Sequence, residues 1–148
     1  MFDQFNKFLK SRLIYKEKYI YNPKIYVIAE AGVNHNGKIK LAKKLILLAK
    51  QCGANAIKFQ AFIPAEVVTQ KAKKAQYQIK NTSISSSQYE MIKKLELSEK
   101  DFFILKKIAK KNKIDLISSV FDLKSLNFIT NKLKLNLVKV PSGEITNL

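Results

Sequence analysis

The stretches IYVIAE at residues 25–30 and NAIKFQ at residues 55–60 decide the fold, because both are short apolar runs typical of buried strands. Residues 38–52 lie between them and carry apolar side chains at helical spacing with lysines opposite, and Gly53 stands where a helix C-terminal glycine belongs. This order predicts two parallel strands joined by a right-handed helical crossover. The helix is expected to face the core with Leu41, Leu45, Leu48, Ala49 and Cys52.

The alternation of elements continues toward the C-terminus. Ser87 with Glu90, and Ser98 with Asp101, have the spacing of capping boxes, which predicts two helix starts. Residues 61–86, which precede both helices, form a polar connection whose length is usual for functional loops. The inward side of the second helix is expected to consist of Phe102, Leu105 and Ala109.

Two further strands are predicted at residues 114–119 and 136–141, and Asp122 is expected to cap a helix between them. That helix has its apolar positions at Leu126, Ile129 and Leu133. Residues 1–24 form a basic, aromatic lead-in, so the regular pattern begins at residue 25. Four strands alternating with helices fit two α/β architectures, an open doubly wound sheet or a parallel (β/α) barrel of TIM type.

Composition limits the functional classes. The 148 residues suit about one domain, and the net charge of +17 raises the question of nucleic-acid binding. Arg12 is the single arginine, however, and scattered lysines favour a solvated surface over a nucleic-acid footprint. A non-catalytic basic binding module remains the alternative from another class. The absence of a secretory signal and of a long apolar stretch, with Cys52 alone, predicts a cytoplasmic protein without a membrane segment.

Polar residues gather where each predicted strand ends. They are Glu30 on the first strand, Lys58 and Gln60 on the second, Ser119 on the third, Lys139 on the fourth, and Ser142 and Glu144 just beyond it. Parallel α/β folds bind ligands at the carboxyl ends of their strands. These residues are therefore the candidate site.

Lys58 and Lys139 are the most informative of these residues, because a lysine inside a buried strand is costly unless an anion pairs with it. One interpretation is that both face a ligand that carries phosphate and carboxylate. The other is that they pair with Glu30 or Glu144, which could alternatively serve as acid/base groups. His35 has no cluster of metal ligands around it in the sequence and is interpreted as a hydrogen-bonded structural group.

Three segments together resemble the N-acetylneuraminate (sialic acid) synthase family: IAEAGVNHNG at residues 28–37, KFQ at 58–60 and KVPSGEITNL at 139–148. Residues 75–98 are similar to the same family. The resemblance implies a (β/α)8 barrel followed by a small antifreeze-like domain. Residues 25–148 would then be the N-terminal half of the barrel, with the C-terminal half and the antifreeze-like domain absent from this sequence.

The reaction implied by the resemblance joins C3 of phosphoenolpyruvate to the aldehyde of an N-acetylmannosamine-type sugar. Water attacks C2, phosphate leaves by C–O cleavage, and a nine-carbon 2-keto acid results. A divalent metal, manganese or magnesium, would polarise the aldehyde through ligands outside this chain. A legionaminate or pseudaminate synthase, which takes a differently substituted sugar, is the alternative within the family, and the full-length proteins are expected to be homodimers.

The resemblance also implies residue roles. Lys58, Lys139, Ser142 and Ser119 would hold phosphoenolpyruvate, Ser119 standing where the family usually has threonine. Gln60 and Glu144 would face the amino sugar, and Glu30 matches an active-site glutamate, so that Glu30 and Lys58 are the catalytic candidates. Ser118–Phe121 reads Ser-Ser-Val-Phe where the family usually has Ser-Thr-Pro-Phe, and the loss of proline is expected to loosen that loop.

Overall fold

The computed structural model describes residues 25–70, 72 and 87–145. They form a parallel sheet with the strand order β1-β2-β3-β4, as the alternating sequence pattern predicts. The strands are β1 (Ile28–Gly32), β2 (Ala56–Ala61), β3 (Asp115–Val120) and β4 (Val138–Lys139). The predicted lead-in at residues 1–24 and the first half of the similar segment, residues 75–86, lie outside the described residues.

The helices lie between these strands. They are α1 (Ile39–Gln51), α2 (Pro64–Val67), α3 (Gln88–Lys93), α4 (Glu99–Lys111) and α5 (Leu123–Asn127), the last continuing into a π-helical turn at Phe128–Lys132. A 3-10 turn at Ser142–Glu144 follows β4. Part of the long connection predicted after β2 is therefore helical, as α2.

The predicted helix caps are confirmed. Ser87 with Glu90 and Ser98 with Asp101 form complete capping boxes, in which side chain and backbone satisfy each other in both directions. Asp122 accepts a hydrogen bond from the Ser125 N–H at the start of α5. Gly53, which follows the C-terminal end of α1, has a φ of +81°, a left-handed conformation that glycine adopts at little cost.

The core lies on one side of the sheet, which we call the helix-covered face. Ile57, Phe59 and Ala61 alternate along β2 and pack with buried residues of α1 and α4. The inward residues predicted for α4 (Phe102, Leu105 and Ala109) are confirmed. The face predicted for α1 is only partly right, because the helix buries Ala42, Ile46 and Ala49, while Leu48 is 54% exposed and Cys52 is exposed at the helix end.

The prediction for α1 was wrong at Leu48 and Cys52 because helical spacing allows two neighbouring apolar stripes on this helix, and packing against the sheet selects one of them. Among the described residues, β1 and β4 each pair with one neighbour only, so both edges of the sheet are open. No helix among the described residues is long and apolar enough to cross a membrane.

Candidate functional site

The side of the sheet opposite the helix-covered face carries the predicted polar residues, and we call it the polar face. Strand pairing aligns Glu30 with Lys58, and Gln60 with Ser119 and then Lys139. Side chains of laterally paired residues in a parallel sheet point to the same side, and residues two apart along a strand do so as well. These five residues, predicted from four separate segments, therefore share one face.

Glu30 and Lys58 form the centre of this face. The Lys58 Nζ lies 2.7 Å from Glu30 Oε2, with the lysine side chain 17% exposed and the glutamate side chain 55% exposed. The sequence left open whether Lys58 pairs with a glutamate, and the structure shows that it pairs with Glu30. Because the carboxylate is more than half exposed, the pair lies at an accessible surface rather than in the core.

A second row of polar side chains crosses the sheet nearer its carboxyl end. Gln60 is half-buried, Ser119 is buried with 4% of its surface exposed, and Lys139 is exposed on the short strand β4. Ser142 and Glu144 lie on the 3-10 turn that follows β4. The sheet thus brings the predicted residues to one end, while their roles toward a ligand stay predictions.

The last residue of β1 lies close to both rows of polar side chains. Gly32 has a φ of +51° at an irregularity in the pairing of β1 with β2. A Cβ at this position would lie 3.4 Å from Glu30 Oε1 and 3.6 Å from Gln60 Nε2, so the glycine stands between the two polar groups. The sequence marked this segment by its resemblance alone, and the positive φ could not be read from it.

Gly37 is a position where only glycine fits. Its φ is +68°, and a Cβ there would lie 2.1 Å from the carbonyl oxygen of Lys94. The turn that follows β1 is thereby packed against the end of α3. The Asn36-Gly37 pair is a sequence pattern typical of a turn. The contact with Lys94 depends on tertiary packing, and no sequence pattern predicted it.

His35 is a buried structural group, as the sequence suggested. Its side chain is fully buried, and Nδ1 accepts a hydrogen bond from the Gly37 N–H at 3.1 Å. The ring packs against Phe59 with centroids 5.9 Å apart. Burial lowers the pKa of His35 below its ordinary value, the raising effects of the Gly32 backbone and the Asp101 charge being smaller, so the imidazole is held in its neutral form.

The segment Ser118–Phe121 differs from the prediction that the missing proline loosens it. Val120 is buried and pairs with Ala61 in the sheet, and the Phe121 N–H donates to the Ala61 carbonyl at 3.3 Å. Valine suits this place because a β-branched residue packs well in a strand. The stretch is therefore the continuation of β3 rather than a loosened loop.

The part of the chain that the structure describes does not fit a manganese or magnesium site. In residues 25–70, 72 and 87–145 no group of three or more His, Cys, Asp or Glu side chains is placed to hold a metal ion. His35 is the only histidine, and its Nδ1 is occupied by the Gly37 amide.

Comparison with known proteins identifies relatives of this arrangement. The chain is 48% identical over 123 residues to an N,N'-diacetyllegionaminic acid synthase of Legionella pneumophila, covering 83% of this chain and 34% of that protein. It is 50% identical over 125 residues to the synthase of the same description from Campylobacter jejuni, covering 84% and 37%. This chain therefore spans about a third of the length of these relatives.

A solved structure shows the same fold. The crystal structure of an N-acetylneuraminic acid (sialic acid) synthetase from Leptospira borgpetersenii, in complex with citrate, superposes with a TM-score of 0.70 and 30% identity. The superposition covers 85% of this chain and 39% of the synthetase, so the four β/α units correspond to part of a TIM barrel. The NeuB family model matches residues 45–148, and the chain belongs to the NeuB family.

Proposed function

We propose that this chain supplies the phosphoenolpyruvate-binding half of an active site that condenses phosphoenolpyruvate with an N-acetylated amino sugar. The observation that carries the proposal is the meeting of Glu30, Lys58, Gln60, Ser119 and Lys139 on one face at the carboxyl end of a parallel sheet. Parallel barrels place their ligands at this end. The complete activity also requires the remaining part of the barrel, which the relatives have and this chain does not cover.

The charges of this face suit phosphoenolpyruvate. The substrate carries a phosphate and a carboxylate, and Lys58 and Lys139 are two cations on neighbouring parts of the same face. Lys58 is already paired with Glu30 at 2.7 Å, which fixes its ammonium group before a ligand arrives. Lysine side chains bind phosphate as point charges, and the Ser119 and Ser142 hydroxyls could add hydrogen bonds to its oxygens.

In the proposed reaction, C3 of phosphoenolpyruvate forms a bond with the aldehyde carbon of the sugar, whose oxygen takes a proton. Water adds to C2, and breaking the bond between C2 and the bridging oxygen releases inorganic phosphate and leaves a 2-keto acid. Lys58 and Lys139 hold the anionic substrate and stabilise negative charge as phosphate departs. In this proposal Gln60 and Glu144 bind the hydroxyl and amide groups of the sugar.

The identities favour a sugar with two acetamido groups over N-acetylmannosamine. The chain is 48% and 50% identical to two N,N'-diacetyllegionaminic acid synthases, against 30% to the sialic acid synthetase structure. The product named for the first two proteins carries two N-acetyl groups. We therefore propose that the acceptor is an amino sugar that carries two N-acetyl groups and has an aldehyde in its open form.

A chimaera tests this proposal. Residues 25–148 of this chain would replace the matching segment of the Campylobacter jejuni synthase, and phosphate release and product mass would be measured with each sugar. We expect turnover with the diacetamido sugar, and about a hundredfold loss of kcat/KM in a Lys58→Met variant, because an anion would lose its charged partner. A Lys44→Met variant, which removes an exposed lysine of α1, is the matched control and should retain full activity.

Two results would contradict the proposal. The first is a folded chimaera whose activity is the same with and without Lys58. The second is turnover by the 148-residue chain alone, because a chain with half of the site should have no synthase activity. A product mass that matches condensation with N-acetylmannosamine only would contradict the choice of sugar and leave the reaction class in place.

A further inference from the structure

The Asp122 carboxylate joins the two segments that follow β2 and β3. Asp122 Oδ2 accepts hydrogen bonds from the Ile63 N–H at 2.9 Å and from the Ser125 hydroxyl at 2.8 Å. Asp122 Oδ1 accepts from the Ser125 N–H at 2.7 Å. One carboxylate thus caps α5 and also reaches a backbone group 59 positions earlier in the chain. We call the contact between Asp122 Oδ2 and the Ile63 N–H the Asp122 bridge.

Two weaker contacts connect the same segments. The rings of Phe62 and Phe121 meet edge to face, with centroids 6.4 Å apart and planes at 84°. Lys124 Nζ lies 2.7 Å from Glu66 Oε1, but the two side chains are 68% and 38% exposed, so solvent screens most of this attraction. The Asp122 bridge is partly buried and involves a charged acceptor, which makes it the strongest directional contact of the three.

The Asp122 bridge lies next to the polar face. Gln60 and Ser119 are paired across β2 and β3, and Ile63 and Asp122 each follow three positions later. The sheet itself extends one step past the pair, where the Phe121 N–H donates to the Ala61 carbonyl at 3.3 Å. The bridge is the next connection along the two segments, at the point where both leave the sheet.

We propose that Asp122 is a positioning residue, which holds the segment after β2 against the end of β3 and thereby fixes the paired residues Gln60 and Ser119 on the ligand-binding face. Ser119 is the member of this pair that the proposed function assigns to phosphoenolpyruvate. This inference rests on the proposed function, which supplies the ligands: phosphoenolpyruvate and its sugar acceptor. A capping role alone does not require the Ile63 contact, because the Ser125 N–H would satisfy an N-cap residue. The second oxygen of the carboxylate is what reaches the other segment.

The chemistry of the bridge requires a carboxylate rather than an amide. An asparagine can keep its oxygen toward the Ser125 N–H, but its NH2 group would then face the Ile63 N–H, and two donors cannot bond. Asp122→Asn therefore removes the bridge and retains the helix cap. Ser125→Ala is the matched control, since it removes a bond to the same carboxylate within one segment and leaves the Ile63 contact intact.

The experiment measures two quantities on the 148-residue chain by NMR: the hydrogen-exchange rate of individual amides and the Kd for phosphoenolpyruvate. In Asp122→Asn we expect the Ile63 amide to exchange roughly tenfold faster and the Ser125 amide to be unchanged. The Kd should rise roughly threefold or more, while Ser125→Ala should match the wild-type chain in Ile63 exchange and in Kd. If Asp122→Asn does not fold, Asp122→Ser is used in its place. Serine keeps a hydroxyl that caps the helix, but its side chain is too short to reach Ile63.

Two outcomes would overturn the inference: an Ile63 amide that stays equally protected without the carboxylate, or an unchanged Kd in a variant whose Ile63 amide has lost protection. A wild-type chain that binds no phosphoenolpyruvate would instead contradict the proposed function. The exchange rate of Ile63 would still decide whether the Asp122 bridge exists, so the two failures are distinguishable.

Discussion

Lys58 and Phe59 are neighbours in β2, but they belong to opposite faces of the sheet and to different physical environments. Phe59 is completely buried among α1, α4 and the strands, whereas Lys58 retains 17% of its side-chain exposure beside the half-exposed Glu30. A change that disturbs packing on the helix-covered face lowers the free energy of unfolding, because the side chains there have been removed from water. The polar face gains little from its ion pair, so its residues are free to be selected for a ligand.

Of the substitutions that test this difference between the two faces, Phe59→Ala should change the free energy of unfolding most. Removing a fully buried phenylalanine side chain should lower the free energy of unfolding by about 3–5 kcal/mol, through lost transfer energy and the cavity left behind. Urea denaturation followed by circular dichroism measures the change. Phe59→Leu, which leaves a smaller cavity, should lose clearly less than Phe59→Ala, and equal losses in the two variants would contradict the packing explanation.

A smaller effect is expected from His35, a buried polar group on the helix-covered side. Burial lowers the folded-state pKa of His35 below the ordinary value of 6.5 that applies in the unfolded chain. At a pH between the folded-state pKa and 6.5, the unfolded chain therefore binds a proton that the folded chain excludes. The stability contributed by neutral His35 is therefore complete above about pH 6.5 and decreases as pH falls below it, by at most about 1.4 kcal/mol per pH unit.

The control for this prediction is His35→Asn, which cannot titrate. Burial raises the pKa of Glu96, so its contribution to the pH dependence has the opposite sign, and the difference between the two chains removes that contribution. The free energy of unfolding should fall from about pH 7 to about pH 5.5 in the wild-type chain and fall less in the variant. Parallel pH profiles would show that His35 is not the group responsible.

The smallest expected effect on stability is Lys58→Met. Methionine keeps most of the apolar stem, and Glu30, which is 55% exposed, remains solvated when its partner is removed. The free energy of unfolding should therefore change by no more than about 1 kcal/mol in either direction. The same urea titration measures it, and a loss as large as that of Phe59→Ala would mean that the polar face also supports the fold.

Much of the fold was predictable because its signals are local. The capping boxes at Ser87 and Ser98 involve side chains three residues apart, and the cap at Asp122 has the same span. The alternation of strands and helices was confirmed in order. Strand ends were less well predicted: residues 25–27 precede β1, and β4 is confined to Val138–Lys139 within the predicted 136–141. Strand limits depend on which neighbouring backbone groups are available for pairing.

The candidate site was predictable as a set of residues and not as an arrangement. Polar residues at four strand ends indicated one face, and strand pairing placed Glu30, Lys58, Gln60, Ser119 and Lys139 there. Whether Lys58 faced a ligand or a glutamate stayed open, because spacing along the chain does not determine which charges meet across strands. The roles of Ser142 and Glu144 toward a ligand remain predictions.

The sequence by itself determined the alternating elements, the helix caps and the family resemblance, since each depends on residues close together in the chain or on short motifs. Tertiary structure alone decided the Lys58–Glu30 pair, the packing of Gly37 against Lys94 and the Asp122 bridge to Ile63. Those contacts join positions 28, 57 and 59 residues apart, and only the packed fold brings them together.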